Sequence, residues 1–371
     1  MIFFLAIILL FIGYSFLIFY YWQAWRSIPE FSNGNRGAEL RISVVIPARN
    51  EEENIGHLLK ALEAQTYPRQ LFEVIVVDDH SADRTAEIVK SFQNACLISL
   101  TDEGKNSYKK LAVAKGIAAA TGEWILCTDA DCIPHAEWIE TLVSFRNKTN
   151  AGFVVAPVVF NEDSRLVEKF QALDFMVLQG ITGASVYKKV HAMCNGANLF
   201  YEKKLFQEVG GFSGIDHIAS GDDMLLMYKI AGKYPERIHY LKSSKAIVST
   251  RPMPDWRSFF NQRIRWASKA RYYGDKKITA VLLLVYLFNL SFPALLIAGF
   301  VSPFFWYVFI FLWIGKTVVE WPFMLSLARF FNKRQLLKLF FVFQPMHIFY
   351  TIVSGFLGQF GQYEWKGRRV K

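Results

Sequence analysis

Residues 2–21 contain no charged side chain and are almost wholly apolar. A run of this length crosses a hydrocarbon layer of about 30 Å, and within lipid each backbone N–H and C=O must be satisfied by its own segment, so the run is committed to helix. Two further runs, Ile278–Phe300 and Pro303–Leu327, lie near the other end. The chain is 53% hydrophobic with 34 Phe, and the excess sits in these runs. A soluble domain therefore has to be built from the middle of the 371 residues.

The first run reads as a retained anchor and not as a cleaved signal peptide. No basic segment precedes it and no small-x-small site follows; Tyr20, Tyr21, Trp22 and Trp25 come next, as at a membrane interface. In the third run Lys316 and Glu320 are four apart and share a helix face, which predicts a mutually satisfied pair turned toward protein. A fourth segment, Leu339–Phe360, carries Gln344, Pro345, His347 and Gln359. Lys333, Arg334 and Lys338 precede it, and Lys366, Arg368, Arg369 and Lys371 follow. Positive charge marks the cytoplasmic side, so both flanks belong on one side, and a re-entrant or interface-lying helix is expected over a further crossing. The organisation read from sequence is an anchor over 1–25, a soluble domain over 41–255, an amphipathic interfacial helix over 255–277 and a membrane region with a basic tail over 278–371.

The net charge of +10 does not indicate nucleic acid. Arg257, Arg263, Arg265, Lys269, Arg271, Lys276 and Lys277 cluster beside the membrane runs, where anionic lipid attracts them, and no nucleic-acid motif is present. Cys96, Cys127, Cys132 and Cys194 have neither metal spacing nor a paired framework and read as reduced thiols of a cytoplasmic domain.

The middle alternates apolar strand-like runs with helical patterns: Arg41–Pro47, helix Asn54–Gln65, Phe72–Val77, helix Ala82–Phe92, helix Ala112–Ala120 and strand Glu123–Thr128. That order predicts an α/β domain with a mostly parallel sheet, whose ligands sit beyond the carboxyl ends of the strands. Three polar clusters fall there: Ala48–Glu51, Asp78–Ser81 and Asp129–Asp131. Asp129 and Asp131 are one residue apart at the end of a strand, so alternation turns both carboxylates to one face, where they suit a hard divalent cation carrying a phosphorylated substrate. Asp79 suits a base or ribose, or else caps the next helix as Ser81 could. Pro47, Arg49, Asn50 and Glu51 either meet a nucleotide or shape a turn. Lys109 and Lys110 precede the helix from Ala112, and Lys110 is a candidate diphosphate contact. Asn195, Gly196 and Asn198, with Asp222, are candidates for an acceptor or sugar. In Ser220-Gly221-Asp222-Asp223 either acid could cap the helix from Met224 or serve chemistry. Gln262, Arg263, Arg265 and Trp266 lie on an amphipathic stretch, Asp255–Tyr273, suited to a membrane surface and also to a diphosphate and a stacked sugar.

Taken in order, Pro47-Ala-Arg-Asn-Glu, Asp78-Asp79-x-Ser, Thr128-Asp-Ala-Asp, Gly221-Asp-Asp-x-x-Leu and Gln262-Arg-Ile-Arg-Trp266 resemble the family 2 glycosyltransferases. The set is similar to the membrane branch holding cellulose, chitin and hyaluronan synthases and ceramide glucosyltransferase, over roughly residues 41–275. The resemblance implies a GT-A fold and inverting transfer from a nucleotide-diphospho-sugar, usually a UDP-sugar. It implies Asp79 at the nucleoside and Asp129 and Asp131 on Mg²⁺ or Mn²⁺, with Asp131 the direct ligand. It makes Asp223 the base, with Gln262, Arg265 and Trp266 closing over the donor. The family commonly has Glu-Asp where this chain has Asp222-Asp223.

The chemistry fits those roles. An acceptor hydroxyl needs one carboxylate to take its proton, and the departing diphosphate needs positive charge. Few membrane helices argue for a single transfer to a lipid or lipid-linked hydroxyl, with processive polysaccharide synthesis as the alternative. A nucleotidyltransferase would need a glycine-rich phosphate loop near the first strand, which is missing, and a silent sugar-nucleotide sensor would lack one of the acids.

Overall fold

The computed structural model describes residues 2–32, 39–101, 108–191, 193–216, 218, 221–269, 275–360, 363–365 and 368–370. Ser220, Arg271, Lys366 and Lys371 lie outside them. The chain opens with helix α1 (Ile2–Ser27) and enters the α/β domain at strand β1 (Ile42–Ala48). There follow α2 (Ile55–Glu63), β2 (Phe72–Asp78), α3 (Thr85–Lys90), β3 (Ala95–Ser99), α4 (Tyr108–Ala119) and β4 (Trp124–Cys127). The second half holds β5 (Ile133–Pro134), α5 (Trp138–Lys148), β6 (Phe153–Val155), β7 (Val158–Phe160), α6 (Leu166–Tyr187), β8 (Leu199–Glu202) and α7 (Lys203–Glu208). Then come α8 (Asp222–Ala231), β9 (Ile238–Tyr240), β10 (Val248–Thr250), α9 (Trp256–Ser268), α10 (Lys276–Gly299), α11 (Phe304–Phe330) and α12 (Phe340–Phe360). A short hairpin, β11 (Tyr363–Trp365) with β12 (Arg368–Val370), closes the described chain.

Among the described residues seven strands form one sheet in the order β3-β2-β1-β4-β8-β6-β9. β1 pairs in parallel with β2 and β4, and β2 with β3; β8 runs antiparallel to β4 and β6. β1, β2 and β4 are buried on both faces, which explains their continuous apolar runs. Register makes a notch. β4 meets β1 only from Ile42 to Val45, so Ile46, Pro47 and Ala48 extend past it. Pro47 has no N–H to donate and sits where β1 has lost that neighbour.

Two expectations need correcting. β4 ends at Cys127, so Asp129 and Asp131 lie in the following turn and not on a strand. Strand alternation therefore does not set their directions. α4 begins by Tyr108, so Lys109 and Lys110 occupy its first turn instead of preceding it. α4 packs on the sheet through Gly116, where an added Cβ would come within 2.5 Å of Val45 Cγ1.

Four helical segments among the described residues are long and apolar enough to cross a membrane: Ile2–Ser27, Lys276–Gly299, Phe304–Phe330 and Arg334–Phe360. α1 and α11 run parallel, with ring contacts Phe3–Phe305, Phe11–Phe311 and Trp25–Phe330 following one another in step. The polar pair expected within α11 is buried between helices. Lys316 Nζ lies 2.7 Å from Glu320 Oε1 and 2.6 Å from Gln344 Oε1 of α12, Gln344 Nε2 donates to Glu320, and Tyr14 of α1 also donates to Glu320. α12 meets α11 near its own start, through Phe340, Phe341 and Gln344. Along α9 it travels in parallel: Tyr350 meets Phe259, and eight residues on Gly358 meets Ala267, itself eight beyond Phe259. Trp25, 1% exposed, packs against Tyr240, Phe330 and Phe331, so the end of α1 belongs to the same core as the sheet.

Candidate active site

The first two loops after the sheet are tied together by the residues expected to meet a nucleotide. Asn50, at φ +50°, donates its N–H to Ser81 Oγ and accepts from the Ala82 N–H. Arg49 Nη1 donates to the carbonyls of Asp79 (2.7 Å) and His80 (3.3 Å). Glu51 accepts from Asn54 and gives its N–H to Thr85 Oγ1. Asp79 is buried, with His80 Nδ1 at 3.0 Å and the Arg49 guanidinium at 3.9 Å. It does not cap α3: the N–H of Thr85, at the start of that helix, is taken by Asp83.

The notch beside β4 opens into a narrow cleft lined by Pro47, Lys109, Thr128, Asp129, Gly196, Asp222 and Asp223, among others. Lys109 stands between the acids, 2.7 Å from Asp129 Oδ1 and 3.6 Å from Asp222 Oδ2. Asp223 Oδ2 accepts the Gly196 N–H at 3.0 Å, Oδ1 accepts the Met224 N–H at 2.7 Å, and Lys269 Nζ is 3.9 Å away. Gly221, at φ +81°, makes the left-handed turn that starts α8 and so presents both acids in its first turn. Burial opposes the charge on Lys109, but Asp129 and Asp222 outweigh it and hold the ammonium well above its ordinary pKa. Burial likewise opposes ionisation of Asp222, and Lys109, Lys269 and Lys110 outweigh it, leaving that carboxyl below its ordinary value.

The structure thus gathers Pro47, Asp129, Gly196, Asp222 and Asp223 and directs other candidates elsewhere. Asn198 is fully buried. Its amide donates to the Pro157 and Ala246 carbonyls, and its oxygen accepts from Trp138 Nε1, so its groups are spent on the fold and not on an acceptor. Asn195 Oδ1 accepts from the Ala197 N–H and shapes the turn that places Gly196. Lys110 is outside the cleft lining and donates to the Ile218 carbonyl, while still feeling the charge of Asp222 and Asp223; burial brings its pKa down to about 8. The lysine in the cleft is Lys109, and the spacing Lys109–Val113–Gly116 on the sheet-facing side of α4 was the available signal. Asp131 Oδ2 accepts from Thr250 Oγ1 at 3.0 Å on β10, outside the cleft lining.

Arg263 does not face the cleft. It is buried against Asp174 of α6, over the rings of Trp266 and Phe259, with Gln262 accepting from its Nη1. Trp266 packs on Phe175, and Arg265 is half-buried. What α9 brings to the acids is Lys269, which sequence reading assigned to the membrane surface.

This architecture is a GT-A-like α/β fold. A mannosyltransferase, PcManGT from Pyrobaculum calidifontis, solved in complex with GDP-Man and Mn²⁺, shares it with a TM-score of 0.60 at 19% identity, over 95% of this chain and 98% of that one. Residues 43–210 match the model of Glycosyl transferase family 2. Glycosyltransferase AglE of Haloferax volcanii is 34% identical over 189 residues, 49% of this chain and 59% of its own length. Probable glycosyltransferase YdaM of Bacillus subtilis is 29% identical over 255 residues, 67% of this chain and likewise 59% of its own length. The chain therefore spans about three fifths of each of these relatives.

Proposed function

We propose that this chain is a membrane-bound inverting glycosyltransferase that moves a sugar from a nucleotide-diphospho-sugar to a hydroxyl of a lipid or lipid-linked acceptor. The observation that carries the reading is the cleft itself, where Asp129, Asp222 and Asp223 face two ammonium groups at the carboxyl end of the parallel strands.

Inversion takes a single displacement. The acceptor oxygen attacks the anomeric carbon while the diphosphate leaves, and a carboxylate accepts the hydroxyl proton. Asp223 is that base, its orientation fixed by the N–H groups of Gly196 and Met224. Lys109 and Lys269 face the charge gathering on the diphosphate. The nucleoside lies over the loops that Arg49, Asn50 and Glu51 tie together, within reach of Asp79. Gly196 leaves room beside the acids, since a Cβ there would lie 3.4 Å from Asp222 Oδ2.

Asp129 and Asp131 fit a Mg²⁺ or Mn²⁺ ion chemically. They are hard oxygen donors in one turn; Asp129 lines the cleft beside Lys109, and Asp131, bonded to Thr250, stands outside that lining. An ion here would be held by one or two carboxylates and the donor's phosphates. When bound, the ion neutralises diphosphate charge.

The membrane branch with Q-x-x-R-W suggests a UDP-sugar, whereas the structural neighbour was solved with GDP-Man. The parallel ends of α1 and α11, at Trp25 and Phe330, support one seating of the catalytic domain, and the flanking basic residues support the cytoplasmic face of the cell membrane for it. Incubation of purified protein with UDP-, GDP- and dTDP-sugars, followed by thin-layer analysis of radiolabelled product, tests the reading. We expect nucleotide release and a label that migrates with lipid. Label held at the origin as polymer refutes the lipid acceptor, and no release from any donor refutes the transferase.

A further inference from the structure

We propose that Tyr350, on the last apolar helix, is a positioning residue for the transfer site, acting through Asp174 and Arg263 on α9. The inference rests on the transferase reading above.

Three helices meet at one carboxylate. Asp174 of α6 accepts Arg263 Nε at 3.1 Å and Nη2 at 2.6 Å on its Oδ2, while Tyr350 of α12 donates to its Oδ1. All three residues are buried. The guanidinium lies 4.2 Å from the Trp266 ring centre and 4.8 Å from that of Phe259. The Tyr350 ring makes edge contacts with Phe170 and Phe259.

A buried ion pair is weak evidence for stability, since desolvating both charges costs about as much as their attraction returns. What it does supply is register. The apolar contacts of α9 would tolerate a small rotation or slide, whereas a planar fork on a carboxylate tolerates neither. Lys269 follows Arg263 by six residues, about 9 Å along the helix and roughly 240° around it. Holding Arg263 on the α6 side therefore turns Lys269 toward the acids, where it stands 3.9 Å from Asp223. The tyrosine hydroxyl completes the carboxylate's shell from α12, so the seating of a membrane-associated helix is linked to the geometry of the base.

Tyr350→Phe removes one hydroxyl and keeps the ring. In detergent or nanodiscs, hydrogen exchange of the 256–268 segment should rise. Transfer kcat should fall about tenfold, with nucleotide affinity within twofold of wild type. Arg263→Lys, which keeps the charge and loses the fork, should raise exchange in the same segment. Unchanged exchange in both variants overturns the clamp. Raised exchange with unchanged kcat overturns the positioning role, and an equal loss of nucleotide affinity and kcat reduces it to general destabilisation. If the wild-type chain turns over no nucleotide sugar, the transferase reading and the positioning role fall together, while exchange still decides whether Tyr350 fixes α9.

Discussion

Replacing Asp223 by Asn tests the assignment of the base with little change of shape. The carboxylate accepts two N–H groups, from Gly196 at 3.0 Å and Met224 at 2.7 Å. A carboxamide keeps one of these and turns its NH₂ toward the other, a local cost of about 1–3 kcal/mol. The chemical cost is larger: loss of a general base removes a factor of about 10²–10⁴, or roughly 2.7–5.5 kcal/mol of barrier. Asp222→Asn provides the contrast. It weakens the pairing with Lys109 at 3.6 Å and leaves the base in place, so a loss of about tenfold or less is expected. Single-turnover transfer from a radiolabelled donor, with nucleotide affinity measured separately, distinguishes the two variants. Asp223→Asn within tenfold of wild type, or Asp222→Asn impaired more deeply than Asp223→Asn, would refute the assignment.

Asn198→Leu orphans the Trp138 indole N–H and the Ala246 carbonyl, while the Pro157 carbonyl keeps the Val248 N–H, so at about 1–3 kcal/mol per group it should destabilise by about 2 kcal/mol or more. A variant with a normal melting temperature and lost acceptor binding would restore Asn198 to the acceptor site. Lys110 gives a pH signature. Its pKa is brought from 10.5 to about 8 in the folded chain, so between those values the unfolded chain holds a proton that the folded chain has released, and stability from this group rises with pH. Lys110→Met should flatten that rise, which melting curves from pH 7 to pH 10 would reveal; parallel curves for variant and wild type would contradict the assignment.

The α/β alternation and strands β1, β2 and β4 were legible because runs such as Ile42–Ala48 are apolar on both faces and bounded by polar turns, whereas β3, only partly buried, was missed. Asp129 and Asp131 were legible for the same reason, since they follow the end of a strand, and Asp222 and Asp223 because a glycine precedes them at the start of a helix. Partners were not. Nothing in a Lys-Lys pair says which lysine faces the sheet until the start of α4 is known, and that start depends on tertiary packing. Asn198 looked like one polar residue among several in a glycine-bearing turn, and only the fold brings Trp138, Pro157 and Ala246 around it. Arg263 and Arg265 are two apart on a helix and so point to different sides, but the sequence does not show that Asp174, 89 residues earlier, claims the first. Lys269 reads as one more cation beside lipid until α9 is seen to end at Asp223.

The packing of Trp25 has a practical consequence for enzymology. The indole is capped by the Lys242 ammonium at 4.6 Å and contacted by α6 at Gly183, where a Cβ would come within 2.9 Å of the ring. Clipping off the N-terminal helix to obtain a water-soluble enzyme would therefore not simply cut a leash. It would strip an indole from beneath β9 and unroof the helix that carries Asp174, so a truncated protein that lost turnover would say nothing about whether the reaction itself needs a bilayer.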